Sequence, residues 1–249
     1  MKIFFLTFSL IYLILILPAR VDCQPQDTTL LTKAQEFTTE QYFQLIQRQA
    51  QLYSGPEYVE FETAIDGHQY LYSELWEKAN IQFDHLLYKS IDARYDLYRD
   101  WLIIKHFDES GRMVSIVPDQ DLIKGFSMHG EQFIRIELLD SIQNASGKTG
   151  YFHVIYNGKC TILSKKIKNL IASFSNNTSK EFSEKERFFL IKDDVLHQIS
   201  GRKSLLKLFP EHKKELRRFA RRNDLYFSRE KENFLLQVIK EYEMLTAAQ

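Results

Sequence analysis

The texture of the chain changes twice. Between residues 57 and 200, short aromatic and β-branched runs alternate with turn residues, the pattern of half-buried strands. On either side, apolar residues recur every three or four positions, the spacing of amphipathic helices. Strands are predicted over 69–73, 79–83, 86–90, 101–107, 112–117, 122–128, 132–139, 151–156, 159–165, 187–191 and 195–199. Short turn signals separate them, including Asp66-Gly67, Ser110-Gly111, His129-Gly130, Asn157-Gly158 and Asp193-Asp194. Asn157-Gly158 carries the strongest signal, because a type I′ hairpin needs positive φ at both central residues. Gaps this short leave no room for crossover helices, so neighbouring strands must run antiparallel. Gly125 interrupts a strand and suits a bulge. The polar stretches 140–150 and 173–186 read as loop excursions.

Upstream, Phe37, Tyr42, Leu45, Ile46 and Leu52 place an amphipathic helix over 33–52, stopped by Gly55-Pro56. Downstream, Leu205, Leu208, Phe209, Leu216 and Phe219 form one apolar stripe. Pro210 fits a first helical turn and Asn223-Asp224 a stop. A final helix, capped by Ser228, aligns Phe234, Leu235, Val238, Ile239, Tyr242 and Leu245. The fold class that follows is α+β: an antiparallel β-meander, as a twisted sheet or partial barrel, with an N-terminal helix and two to three C-terminal helices.

The first 23 residues belong to neither texture. Lys2 precedes an apolar run over 3–17 broken only by Thr7 and Ser9, Pro18 ends it, and a polar segment leads to Cys23, which is the layout of a secretory signal peptide. Fifteen helical residues span about 22 Å, short of the roughly 30 Å hydrocarbon layer, so a retained anchor is disfavoured. Val21 and Cys23 are small enough for the positions three and one before the scissile bond, making Gln24 the new terminus; a cut after Ala19 is the alternative. Lipidation of Cys23 is disfavoured because Asp22 stands where a lipobox needs a small residue. The organisation is then a signal peptide at 1–23, a lead and helix at 24–56, a β-rich region at 57–200 and a helical region at 201–249. The expected location is periplasmic or secreted.

Composition refines this picture. With 44% apolar and 14% aromatic residues, the remaining 226 positions can pack a substantial core. Cleavage would leave Cys160 as the one cysteine, so no internal disulfide is available, and its strand-like setting reads as structural rather than nucleophilic. Formal charge balances overall, but residues 202–222 hold nine Lys or Arg against Glu211 and Glu215, a local net of +7. Lys213, Lys214, Arg217, Arg218, Arg221 and Arg222 are therefore the candidate surface for anions or a partner, against the alternative of a solvated face paired with the acidic remainder.

Catalytic signals are weak. The histidines at 68, 85, 106, 129, 153, 197 and 212 are scattered singly, with no metal-binding spacing; a cross-strand pair such as His106 with His153 has no register to support it. No nucleophile elbow or phosphate loop is present, and Asp119 with Asp121, or Asp193 with Asp194, reads as turn chemistry rather than a glycosidase pair. Tyr70, Tyr72, Trp76, Tyr88, Tyr95, Tyr98 and Trp101 are expected to be mainly buried strand residues; exposed, such rings would stack on sugars or hold an acyl chain. Asn144, Asn176 and Asn177 begin N-glycosylation triplets of use only in a eukaryotic host. The triplets 27–29 and 140–142 resemble an O-glycosylation motif of Bacteroidota.

Several strings, LYSGPEYVEF from Leu52, GHQYLYSELW from Gly67, RYDLYRDWLII from Arg94, GYFHVIYNGKCTILSKKIK from Gly150 and GRKSLLKLFPEHKKELRRFARRNDLYF from Gly201, are similar to a group of exported proteins of Bacteroidota. The chain departs from it at Glu77-Lys78, where that group has a hairpin glycine. The resemblance implies export and a β-rich fold with terminal helices, and it brings no activity, cofactor or catalytic residue. The expected role is an exported envelope protein that binds or scaffolds through its basic C-terminal helices, its partner being another envelope protein or an anionic envelope surface rather than nucleic acid. A periplasmic carrier of a lipid or other hydrophobic ligand is the alternative, and an unrecognised hydrolase the third reading.

Overall fold

A computed structural model describes residues 33, 37–38, 51–61, 65–108, 110–137, 150–172 and 180–247. The signal segment with Cys23 and Gln24, most of the expected helix over 33–52, and the glycosylation triplets lie outside them. Residues 1–42 and 43–249 are separate compact units. In the first, Lys33, Phe37 and Thr38 are helical; in the second, Gln51–Tyr53 form a 3₁₀ turn.

Among the described residues eleven strands follow: β1 (Ile65–Asp66), β2 (Glu77–Phe83), β3 (Leu86–Asp96), β4 (Trp101–Phe107), β5 (Met113–Ile116), β6 (Ile123–Met128), β7 (Glu131–Ile136), β8 (Gly150–Asn157), β9 (Thr161–Ala172), β10 (Lys180–Lys192) and β11 (Val195–Ile199). Three helices close the chain: α1 (Arg202–Lys207), α2 (Lys213–Arg222) and α3 (Lys231–Ala247). No helix among the described residues is long and apolar enough to cross a membrane.

All eleven strands join one mixed sheet, which makes the protein α+β but not a plain meander. Its order is β5-β4-β3-β2-β6-β7-β8-β9-β10, with β1 and β11 sharing the outer edge of β10. Two features break the meander. The short link after β5 returns β6 to the side of β2, and β1 pairs with β10 in parallel. Turn chemistry constrains sequential neighbours but says nothing about which distant strand accepts an edge.

The sheet curls. Tyr95 on β3 and Tyr151 on β8 are separated by β2, β6 and β7, which would hold them about 19 Å apart in a flat sheet. Their ring centroids are 5.7 Å apart, and Tyr95 also meets Phe126 at 5.3 Å and Phe133 at 5.6 Å. Around these rings lies the main core, with Ile81, Phe83, Leu102, Ile104 and Ile123. Gly125 lies at the expected bulge: the β2–β6 register slips so that Gln82 faces Gly125 and Phe83 faces Ile123. A Cβ at Gly125 would stand 2.5 Å from the Phe133 carbonyl oxygen, so only glycine lets β7 approach.

A second core lies under the helices. Leu205, Leu206, Phe209, Leu216, Ala220, Phe234, Leu235, Val238 and Ile239 pack against Cys160, Ile162, Phe188, Leu190 and Ile199. The expected face of α3 is the buried one, whereas Leu208, just after α1, and Phe219 in α2 are half-exposed and yield the innermost places to Leu206 and Ala220. Asn223 ends α2 as expected; α3 starts at Lys231, after a turn that contains Ser228.

Several boundaries differ from the sequence reading. Residues 69–73 form bends with one bridge, Tyr70 to Asp96, not a strand. The segment 180–186, read as part of a loop, is the first half of β10, fully paired to β9. Lys-Glu alternation there reads as polar loop because both partner strands are themselves charged. Glu77-Lys78 begins β2 rather than a hairpin.

The type I′ geometry sits elsewhere than expected. His129-Gly130 and Asp193-Asp194 are two-residue loops with positive φ at both positions, 54° and 78°, then 50° and 59°. Neither Asn157 nor Gly158 has positive φ, and the loop is three residues long, between paired Asn157 and Thr161. Gly158 is needed for space: a Cβ there would lie 2.5 Å from Glu243 Oε1 and 2.7 Å from the Tyr156 ring.

Candidate functional site

The six candidate cations all lie on α2 and all are exposed. Leu216 and Ala220 face the core, so helical periodicity turns Lys213, Arg217 and Arg221 into one outward row and Lys214, Arg218 and Arg222 into the next. Successive members of a row stand about 6 Å apart along the axis. None of the six side chains has an ion pair or hydrogen bond among the described residues, so no described carboxylate neutralises them by direct contact. Glu215 is the one carboxylate on the exposed side of α2, and the one apolar side chain of the helix that is not buried, Phe219, is half-exposed.

A second polar assembly was not foreseen. Asp96, at the end of β3, is fully buried; its Oδ1 accepts the backbone N–H groups of Tyr98 and Arg99, and its Oδ2 accepts the Tyr58 hydroxyl at 2.7 Å and Arg99 Nη1 at 3.4 Å. Burial pushes its carboxyl above the usual carboxylate range, although those donors act the other way. Gln69 donates to Tyr58 and Glu60, and Glu60 also accepts from Tyr70 at 2.6 Å and from Arg94 at 3.3 Å. Desolvation, with these carboxylate acceptors, raises the Tyr58 and Tyr70 phenols. Arg94 stacks over Tyr70 and Trp76; Arg99 stacks over Tyr58 at 4.7 Å and Phe61 at 4.3 Å. The available signal was the close spacing of Asp96, Arg99 and Asp100 with aromatics in RYDLYRDW, a string read only for resemblance.

Beside this network, an open cleft of about 610 Å³ runs between the segment 54–59 and the link 117–120, with Arg99 and Trp101 in its lining. Gln120 ties the link to the sheet: it donates to the Leu102 and Pro118 carbonyls and accepts the Leu102 N–H and the Tyr151 hydroxyl.

The remaining candidates resolve separately. Cys160 lies in the β8–β9 loop rather than in a strand; it is buried and free, and desolvation raises its thiol pKa, the opposite of an activated nucleophile. His106 sits against Tyr53 and His153 against Phe133, and among the described residues no group of three or more His, Cys, Asp or Glu side chains converges to hold a metal. Asp119 and Asp121 form a turn in which Asp121 pairs with Arg135, and Asp193 and Asp194 form the β10–β11 turn. Of the seven clustered aromatics, Tyr70, Tyr88 and Tyr95 are buried and Trp76 is half-buried, but Tyr72, Tyr98 and Trp101 are exposed. Tyr72 donates to Glu131 and accepts from Lys166.

Comparison with known proteins yields no matching family model, no similar curated protein and no similar solved structure.

Proposed function

We propose that this chain is an exported, non-catalytic binding protein of the cell envelope that docks on an anionic envelope surface through α2. One observation carries the reading: two adjacent rows of three exposed cations, with Glu215 the one carboxylate on their helix and no side-chain ion pair to any of them among the described residues. Six like charges on ten residues, unpaired among the described residues, cost the helix i,i+4 repulsion, which an external anion relieves. Phe219 is the one apolar side chain of α2 that is not buried, and it is only half-exposed, which favours a polyanionic surface over a protein, since protein interfaces centre on desolvated aromatic and aliphatic anchors. Each cation close to an anionic membrane contributes on the order of 1 kcal/mol. A carrier of hydrophobic ligands would need an enclosed apolar pocket, whereas the clefts on β6–β7 and beside Trp101 are open.

Flotation with vesicles of phosphatidylglycerol and phosphatidylcholine tests this. Association is expected at 50 mM salt and release at 500 mM, with Arg217→Glu, Arg218→Glu, Arg221→Glu and Arg222→Glu together abolishing it while the unfolding transition survives. Equal flotation of the parent and the charge-reversed protein would refute the reading.

A further inference from the structure

The cleft beside Arg99 and Trp101 shares no residue with α2 and is not consumed by the packing of the fold. Its volume, about 610 Å³, falls in the range of small-molecule sites. Pro56, Tyr58, Val59, Trp101, Val117 and Pro118 make its walls apolar. Trp101 opens β4 and remains 39% exposed although its neighbours Leu102, Ile103 and Ile104 are buried. One wall is fixed, because Gly55 packs so closely on Val117 that a Cβ would lie 2.1 Å from the Val117 carbonyl oxygen.

The polar groups are few and of both kinds. Arg99 has one polar side-chain partner among the described residues, Asp96, which leaves N–H donors for a ligand. Asp119 Oδ1 accepts the Asp121 N–H, and its second oxygen has no partner among the described residues. Glu57, at the mouth, is loosely paired to Arg112 at 3.6 Å. The mixed charges of the lining favour a ligand without net charge. Asp96 offsets Arg99 from beneath, and two rim carboxylates repel an anion. Arg99 in the lining repels a cation, and an acyl chain would leave these charged groups desolvated and unpaired. A neutral polyhydroxyl ring satisfies them all. Its C–H face covers the indole, its hydroxyls donate to Asp119 and Glu57, and its oxygens accept from Arg99.

We infer that this cleft is a binding subsite for a neutral saccharide, with Trp101 as the stacking platform and Arg99, Asp119 and Glu57 as the hydroxyl-recognising groups.

The chain's two tryptophans make the test direct. In the full-length Trp76→Phe protein, Trp101 is the sole indole, and its emission is titrated with maltohexaose, cellohexaose, laminarihexaose and chitohexaose. At least one is expected to shift the emission saturably and to bind the unsubstituted protein in calorimetry. Trp101→Ala and, separately, Asp119→Ala at the exposed rim are expected to weaken that binding at least tenfold with unchanged far-UV dichroism. Failure of all four saccharides to bind at millimolar concentration overturns the proposal. So does undiminished binding by the Asp119 variant together with the Trp101 variant, or tighter binding of oligogalacturonate than of any neutral oligomer.

Discussion

The clearest test of how the sheet is held in its curl is Asp100→Ala. Asp100, in the β3–β4 turn, reaches across to β8 and β9: its Oδ2 accepts Lys165 Nζ at 2.7 Å, and its Oδ1 accepts the Tyr95 hydroxyl at 2.6 Å and the Tyr151 N–H at 3.4 Å. The Lys165 side chain is 9% exposed and that of Asp100 24%, so this is a shielded pair. Truncation strands the Lys165 ammonium, which lies 4.8 Å from the Phe152 ring centroid and has no other polar side-chain partner among the described residues, and leaves the buried Tyr95 hydroxyl without its acceptor. Removing one member of a buried pair costs about 3–5 kcal/mol, and the stranded hydroxyl lies within that figure rather than on top of it. For a chain of this size the melting temperature should fall by roughly 6–20 °C. Lys165→Met leaves Asp100 two donors and should cost only about 1–2 kcal/mol. The double variant Asp100→Ala, Lys165→Met should recover at least about 1 kcal/mol relative to Asp100→Ala, because no charge is then buried alone. Urea denaturation with a constant m-value measures all three. A cost below about 1 kcal/mol for Asp100→Ala, or no recovery in the double variant, would refute the claim that this pair bridges the two ends of the curl.

Two further outcomes follow from named contacts. Gly158→Ala should push Glu243 off the β8–β9 loop, where it accepts Tyr156 OH at 2.7 Å and Cys160 N–H at 3.2 Å. The loss is about 1–3 kcal/mol, with faster hydrogen exchange in the last turns of α3; unchanged exchange there would sink it. Asp96 gives a pH signature. Its folded pKa is raised, so between the unfolded value near 3.9 and the folded one the native state holds a proton the unfolded state has lost, and stability falls as pH rises through that window. Asp96→Asn should remove that fall, so its stability relative to the parent should climb from pH 4 to neutrality. A relative decline over the same range would contradict the assignment.

The basic surface was legible because its logic is local. Lys213 to Arg222 places cations at i and i+4 around Leu216 and Ala220, and a helix converts that spacing into rows whatever surrounds it. What it could not supply was the choice of partners: a salt bridge depends on which distant carboxylate arrives, and among the described residues none does. The cleft was illegible for the converse reason. Trp101 looks like any aromatic at the head of a strand, and the cleft it lines lies between segments 54–59 and 117–120, distant in sequence and brought together by the antiparallel bridge of Glu57 to Ile116 and the backbone hydrogen bond from Val117 to Pro56.

The amino-acid sequence by itself determined what depends on periods of 2 and 3.6 residues and on backbone sterics. Most strands, the buried face of α3, the bulge at Gly125 and the turn at Asp193-Asp194 are of this kind. Tertiary structure alone decided strand order, the parallel pairing of β1, the Asp100–Lys165 bridge and the purpose of Gly158, which serves the approach of Glu243 rather than a turn. Local rules restrict a residue's own dihedral angles. The choice of distant neighbour is made by burial and charge compensation summed over the whole sheet, a quantity no short window contains.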